Sequence, residues 1–297
     1  MKEFKFKKVD AFATPLSDGN PAAVVFLEDG EEIGDSEMQK IATELKGFVC
    51  EVAYVRQIGG NSFRLRYFSS EREVEFCGHA TIATFCDLLK QDDFQHMESV
   101  DLHVNAGMVK LYNRLKEENA VFLSAPLPSF WDLKINVAEV ANALGYNISC
   151  IEEDPPLKVV NGGLNTLLVP IKRLEDVLEM NPDFDTLNRY CEDIGIDNVA
   201  VYSKEVVDKS NRFRIRNFAV TFGYLEDPAS GSCNSALGYY LLNLGLWDGE
   251  PFTIEQNGER ERFNTVLLKT DVLPTGERQI LIGGGAITRI KGNYILA

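Results

Sequence analysis

GHATIATFCDLL at residues 78–89 and GSCNSALGYYLL at residues 231–242 are the two segments whose reading decides the fold. Each opens on a glycine and continues with apolar residues at helical spacing. Upstream of each lies a strand-like segment, Arg64-Leu-Arg-Tyr-Phe68 in the first half and Arg214-Ile-Arg-Asn-Phe218 in the second. Further upstream, Glu51-Val-Ala-Tyr-Val55 lies over Asn198-Val-Ala-Val-Tyr202, and Asn20-PAAVVFL lies over Asn165-TLLVPI. The four matches keep one order, at offsets of 153, 150, 147 and 145 residues. Self-similarity on that scale is an internal duplication.

Each half reads strand, helix, strand, strand, loop, helix, strand. Residues 63–68 and 212–218 alternate apolar side chains with arginine, the pattern of half-buried strands. Residues 35–46 and 137–144 carry apolar positions at helical spacing, the first with Asp35 or Ser36 as its cap. The proline-bearing stretch APLPSF, residues 125–130, is the expected hinge. The expected fold class is α+β, with an N-terminal lobe over residues 1–125 and a C-terminal lobe over 126–297. The final strand is a candidate to cross back to the first lobe.

The chain has 297 residues and a formal charge of −15, with 45 acidic against 30 basic side chains. Phosphate binding needs a basic footprint, so neither nucleic acid nor an anionic membrane is an expected partner. The N-terminus is basic but lacks the apolar core of a signal peptide, and no run approaches the roughly 20 apolar residues of a membrane span. A cytoplasmic location is expected. Cys50, Cys77, Cys86, Cys150, Cys191 and Cys233 are too dispersed for a disulfide scaffold.

Function in a duplicated body is expected between the halves, where concave surface is available. The helix starts at Gly78 and Gly231 offer unpaired N–H groups to a carboxylate, so an acidic protein can hold a small anion there without an arginine cluster. The halves differ where roles would differ. Glu51 has Asn198 as its counterpart, so only one half supplies a carboxylate able to carry a proton. Apolar neighbours around a carboxyl raise its pKa and suit it to acid–base work. The bland alternative is a glutamate on a solvated strand face.

His79 follows Gly78 as Ser232 follows Gly231. A helix N-terminus disfavours a cation, so a neutral imidazole is the expected species, unless it is simply a polar first-turn residue. Asp227 precedes a proline, where an aspartate commonly makes a turn, but its loop leads directly into Gly231. Cys77 precedes Gly78 and has Ser230 as its counterpart, so a racemase built on two thiols lacks its second cysteine; a buried structural thiol is the competing reading.

Other motifs fail. Gly283-Gly-Gly285 is followed by a strand-like pattern, not the helix a dinucleotide site needs. Gly231-Ser-Cys-Asn-Ser235 lacks the last glycine of a nucleophile elbow. Cys77 and His79 stand two apart, and neither His96 nor His103 completes zinc spacing. No cofactor and no metal is expected.

Val9-Asp-Ala-Phe12 followed by Gly19-Asn-Pro-Ala-Ala23, the Glu51 strand, Phe76-Cys-Gly-His-Ala-Thr81 and Glu226-Asp-Pro-Ala-Ser-Gly-Ser232 together resemble the PhzF-like, phenazine-biosynthesis-like family in order and spacing. The resemblance spans nearly the whole chain. It implies a diaminopimelate-epimerase-like fold, two similar lobes each with a curved sheet wrapped around a central helix, an active site in the cleft and a homodimer. It also implies a cofactor-independent isomerase acting on a small anionic, carboxylate-bearing substrate.

Carried over by position, Glu51 is the proton carrier, and His79, Asp227 and Ser232 orient the substrate. Gly78, Gly231 and Asn20 fall in the motifs that bind it. Two departures stand near these positions: Val-Cys-Glu-Val-Ala where relatives have Leu-Ser-Glu-Thr-Ala, and Gly-Ser-Cys-Asn where many have Gly-Ser-Ala-His. They point to a substrate other than the phenazine precursor. The alternatives are an amino-acid racemase or epimerase using Cys77, and a small-molecule-binding protein of this fold without turnover.

Overall fold

A computed structural model describes residues 2–28 and 30–297. It divides into two compact units: the chain up to Ser124 together with Gly283–Ala297, and Ala125–Ile282. Both are α+β. In chain order the first unit holds β1 (Lys2–Ala11), β2 (Asn20–Phe26), α1 (Asp35–Glu44), β3 (Glu51–Gly59), β4 (Ser62–Ser69), β5 (Glu73–Val74), α2 (Gly78–Leu88), β6 (Ser99–Val104), β7 (Gly107–Arg114), α3 (Leu115–Glu118) and β8 (Ala120–Ser124). The second continues with β9 (Ser129–Phe130), α4 (Val137–Ala143), β10 (Lys158–Asn161), β11 (Asn165–Pro170), α5 (Leu174–Glu179), α6 (Phe184–Ile194), β12 (Asn198–Ser203), β13 (Phe213–Phe218), β14 (Glu226–Asp227), α7 (Gly231–Asn243), β15 (Phe252–Gln256) and β16 (Asn264–Val272). β17 (Arg278–Gly284) closes the chain's passage through it, and β18 (Ala286–Leu296) belongs to the first unit, antiparallel to β1 from Ala11↔Ala286 to Lys2↔Leu296.

The duplication is complete in strand pairing. β2 runs parallel to β3 as β11 does to β12. β3 pairs antiparallel with β4 as β12 does with β13, and the short β5 and β14 cap β4 and β13 in the same sense. β4 is then parallel to β6, and β13 to β15. Parallel neighbours require a crossover, which α1 and α2 supply in the first unit and α5, α6 and α7 in the second.

Alternation along these strands sorts the side chains. In the first unit Val52, Tyr54 and Phe68 share a face with Met38 and Ile41 of α1, where the Tyr54 hydroxyl donates to the Met38 carbonyl at 2.8 Å. The opposite face, with Glu51, Phe63 and Tyr67, meets α2: Phe63 and Phe85 form an edge-to-face pair with centroids 5.3 Å apart, and the Tyr67 and Thr81 hydroxyls are 2.6 Å apart. In the second unit Val199, Val201 and Phe218 pack with α4, α5 and α6. Its other face turns to α7, which is buried continuously from Cys233 to Leu241.

Two local expectations are corrected. α1 is capped by Gly34, whose N–H donates to the Glu37 carboxylate at 2.8 Å, while Asp35 instead pairs with Arg66 at 2.6 Å. β13 is buried on both faces, because Arg214 and Arg216 are neutralised by Glu255 and Glu226. Among the described residues no helix is long and apolar enough to cross a membrane.

Candidate functional site

Glu51 is the first residue of β3, and its alternation places it on the face that α2 covers. Cys77 is the extended N-cap of α2, Gly78 its first residue and His79 its second. The fold brings three of these side chains together. His79 Nε2 lies 3.1 Å from Glu51 Oε2, and Cys77 Sγ lies 3.4 Å from His79 Nδ1 and 3.9 Å from Nε2. All three donor atoms fall within 4.8 Å of one another. The histidine and glutamate side chains are only 12% and 18% exposed, so solvent screens their interaction weakly.

Glu51 Oε2 is buried and, among the described residues, has no hydrogen bond, although His79 Nε2 is 3.1 Å away. That corrects the solvated-face alternative for Glu51. It also bears on His79. Burial alone pulls its pKa down, but Cys77 and the Glu51 carboxylate together lift it well above the usual histidine value. The shift runs opposite to the one a helix N-terminus alone would give, because the adjacent carboxylate outweighs the helix's partial charge. Burial pushes the Cys77 thiol up, with the Glu51 carboxylate adding to it and His79 opposing, so it sits in an environment that favours the protonated form.

Asn20 begins β2, is buried, and by register shares the Glu51 face, since Ala22 lies opposite Glu51. The two helix-start glycines have ordinary backbone angles. A Cβ on Gly78 would meet only a Phe76 ring carbon at 3.9 Å, and one on Gly231 only Ile282 at 3.5 Å or more. Neither glycine is demanded by internal packing. What their bare backbone provides is close approach to the N–H groups at each helix start.

In the second unit Asp227 ends β14 opposite Asn217, and its carboxylate accepts from the Ala229 N–H at 3.4 Å. Ser230 caps α7 through its hydroxyl, which is 3.1 Å from that of Ser232. Asn198 occupies the place of Glu51. Its amide has no hydrogen-bond partner among the described residues.

Sequence reasoning missed what holds the two loops. Arg66 grips both oxygens of Glu73 at 2.7 Å through Nε and Nη2, and Arg216 grips Glu226 at 3.1 and 2.7 Å in the same way. Such forked pairs fix geometry as well as charge. The repeated second arginine of RLR and RIR was their visible trace. Gln256, fully buried, accepts from the Ser230 N–H at 3.1 Å and the Asn234 amide at 2.6 Å, and donates to the Asp227 carbonyl at 3.1 Å. A glutamine at the end of the alternating FTIEQ was its only signal.

The fold and these motifs have known relatives. The chain is 29% identical to the uncharacterized isomerase YfhB of Bacillus subtilis, over 87% of its own length and 88% of that protein's. It is 26% identical to the trans-2,3-dihydro-3-hydroxyanthranilate isomerase of Pseudomonas fluorescens, over 97% and 98% of the two chains. The crystal structure of a PhzF-family phenazine biosynthesis protein from Bacillus anthracis superposes with a TM-score of 0.89 at 24% identity, covering 99% of this chain and 100% of that one. A family model described as phenazine biosynthesis-like protein matches residues 9–292, a span that takes in both helix starts, both loops and the Glu51 strand, and the chain belongs to that family.

Proposed function

We propose that this chain is an isomerase that moves a proton on a small carboxylate-bearing substrate, with Glu51 as the carrier. The observation that carries the reading is the Glu51 carboxylate, shielded at the start of α2 with an oxygen that no hydrogen bond from the described residues occupies. In the proposed step Glu51 takes a proton from a carbon next to a double bond. The electron pair moves into the conjugated system, the Glu51 carboxyl proton exchanges with solvent, and Glu51 then delivers a proton to the far end of that system. Atoms balance without an oxidant, so no redox partner is needed. His79 donates a ring N–H to the oxygen that gains charge. Asp227 and Ser232 carry over from the family likeness as groups that orient the substrate, and the N–H groups at Gly78 and Gly231 suit its carboxylate.

The test is incubation in deuterated water with trans-2,3-dihydro-3-hydroxyanthranilate and a panel of related amino- and hydroxy-substituted cyclohexadiene acids, followed by mass spectrometry. Isomerisation with deuterium uptake that Glu51→Gln abolishes supports the reading, and uptake that survives Glu51→Gln removes it. A thiol-based racemase is the competing reading. It requires Cys77→Ala to abolish exchange, whereas proton transfer through Glu51 keeps the loss within about tenfold.

A further inference from the structure

Spacing along the chain argued against a metal, because Cys77 and His79 stand two residues apart with no further histidine near them. The fold supplies what spacing could not show, a third donor from β3. We infer that Glu51, Cys77 and His79 form a binding site for a single borderline-soft divalent cation of the zinc class, and that occupation of this site shuts the proton carrier off.

Geometry is the first support. A tetrahedral zinc with bonds of about 2.3 Å to sulfur and about 2.0–2.1 Å to nitrogen and oxygen holds its donors about 3.3–3.6 Å apart. His79 Nε2 is 3.1 Å from Glu51 Oε2 and 3.9 Å from Cys77 Sγ, so the spacings bracket that range. The third spacing, Cys77 Sγ to the Glu51 carboxylate, is within 4.8 Å, so closing on a cation draws the thiol and the carboxylate together by up to about an ångström. The donor set is the second support. One thiolate, one imidazole and one carboxylate are ligands that select zinc, or cobalt in its place, over magnesium and calcium, which take oxygen alone. The third support is the buried Glu51 Oε2, which has no hydrogen bond among the described residues and would gain one strong contact from a cation.

Binding is balanced by proton release. The thiol gives up its S–H proton to solvent, as does the imidazole any proton on Nε2 and the Glu51 carboxyl any proton it holds. Three protein donors leave a fourth position for a water or a ligand oxygen. The cation then holds the carboxylate lone pairs that would receive the substrate proton, together with the imidazole nitrogen that would donate. The binding itself is independent of the reaction proposed above; only the loss of turnover rests on that reading.

Cobalt(II) is the probe. Chelator-treated protein titrated anaerobically with cobalt is expected to develop a thiolate-to-cobalt charge-transfer band and intense visible d–d bands, saturating at one equivalent. Cys77→Ser should remove the charge-transfer band, and Cys150→Ser, a half-buried thiol of the second unit, should leave it. Glu51→Gln and His79→Gln should each weaken binding by at least about tenfold, the loss that even an outer partner of a metal ligand can cause. Circular dichroism of each variant checks that it is folded, and zinc-edge absorption of the unmodified protein gives a second measurement, expected to show one sulfur at about 2.3 Å. A charge-transfer band that survives Cys77→Ser, one that disappears in Cys150→Ser, or zinc without a sulfur neighbour overturns the site. Adding zinc to an active preparation should stop deuterium uptake, and excess chelator should restore it. Cobalt binding without any detectable exchange leaves the site standing and removes the functional reading instead.

Discussion

His79 Nε2 stands 3.1 Å from Glu51 Oε2, a contact between the second residue of a helix and the first residue of a strand 28 positions earlier. The two side chains act on one proton path in the proposed reaction, so their losses should not add. His79→Gln keeps a polar side chain but gives up the ring N–H donor, and it should lower kcat/KM by about 100-fold. The double variant with Glu51→Gln should be no slower than Glu51→Gln alone. Steady-state isomerisation rates for the two single variants and the double variant check this, and additive losses would place His79 outside the proton path.

Much of this site was legible before any coordinates. The helix starts could be read because glycine followed by apolar residues at helical spacing recurs at Gly78 and Gly231, and the strands because RLRYF and RIRNF alternate. Glu51 stood out as the residue where the halves part. What could not be read depends on contacts between distant segments. Arg214 and Glu255 are 41 residues apart and meet only because β13 and β15 lie side by side. The two-residue strands β5 and β14 are too short for periodicity, although they seat the Glu73 and Glu226 ends of the forked ion pairs. The upward shift of the His79 pKa also depends on its neighbours, since the helix start alone argues for a downward one.

The Arg66–Glu73 pair sets an acid limit on the first unit. The Arg66 guanidinium holds the Glu73 carboxyl below its usual range, helped by the Asn105 amide and opposed by burial and by Asp35. A depressed folded pKa means stabilisation that is fully present above the unfolded value near 4.5 and is lost as pH falls through the folded value. Both side chains are roughly a quarter exposed, so screening limits the contribution to about 0.5–1 kcal/mol. Glu73→Gln should cost that much at pH 7, and the cost should shrink as pH falls below 4.5. Urea midpoints measured from pH 7 to pH 3 check it, and a cost that persists unchanged into acid would refute the linkage.

The Arg214–Glu255 pair in the second unit is fully buried, with Nη1 and Oε2 3.2 Å apart. Glu255 also accepts from the Val207 and Asp208 N–H groups at 3.1 and 2.7 Å and from the Asn211 amide at 3.0 Å. Arg214 in turn reaches the Asn257 carbonyl at 3.0 Å and stacks 5.4 Å over Phe263. Removing one partner leaves a buried charge uncompensated, so Glu255→Leu should destabilise by about 3–5 kcal/mol. Adding Arg214→Met should recover part of that, because an apolar pair needs no compensation. Denaturant unfolding of the two single variants and the double variant checks the coupling, and a double variant no more stable than Glu255→Leu would contradict it.

Gly162 locks the turn between β10 and β11 onto α7. A Cβ there would lie 2.6 Å from Ser235 Oγ, 2.7 Å from the Ala236 nitrogen and 3.0 Å from its Cα, so two of the three clashes are with backbone that cannot rotate aside. The same approach lets Ser235 Oγ donate to the Gly162 carbonyl at 2.5 Å. Gly162→Ala must therefore push the turn away from the helix, at a cost of about 1–3 kcal/mol. Ser235→Ala removes the hydroxyl clash and the hydrogen bond but leaves the backbone in place, so it should not rescue Gly162→Ala. Thermal unfolding of the three variants decides the point: rescue by Ser235→Ala would mean that the side chain, and not the α7 backbone, is what the glycine accommodates.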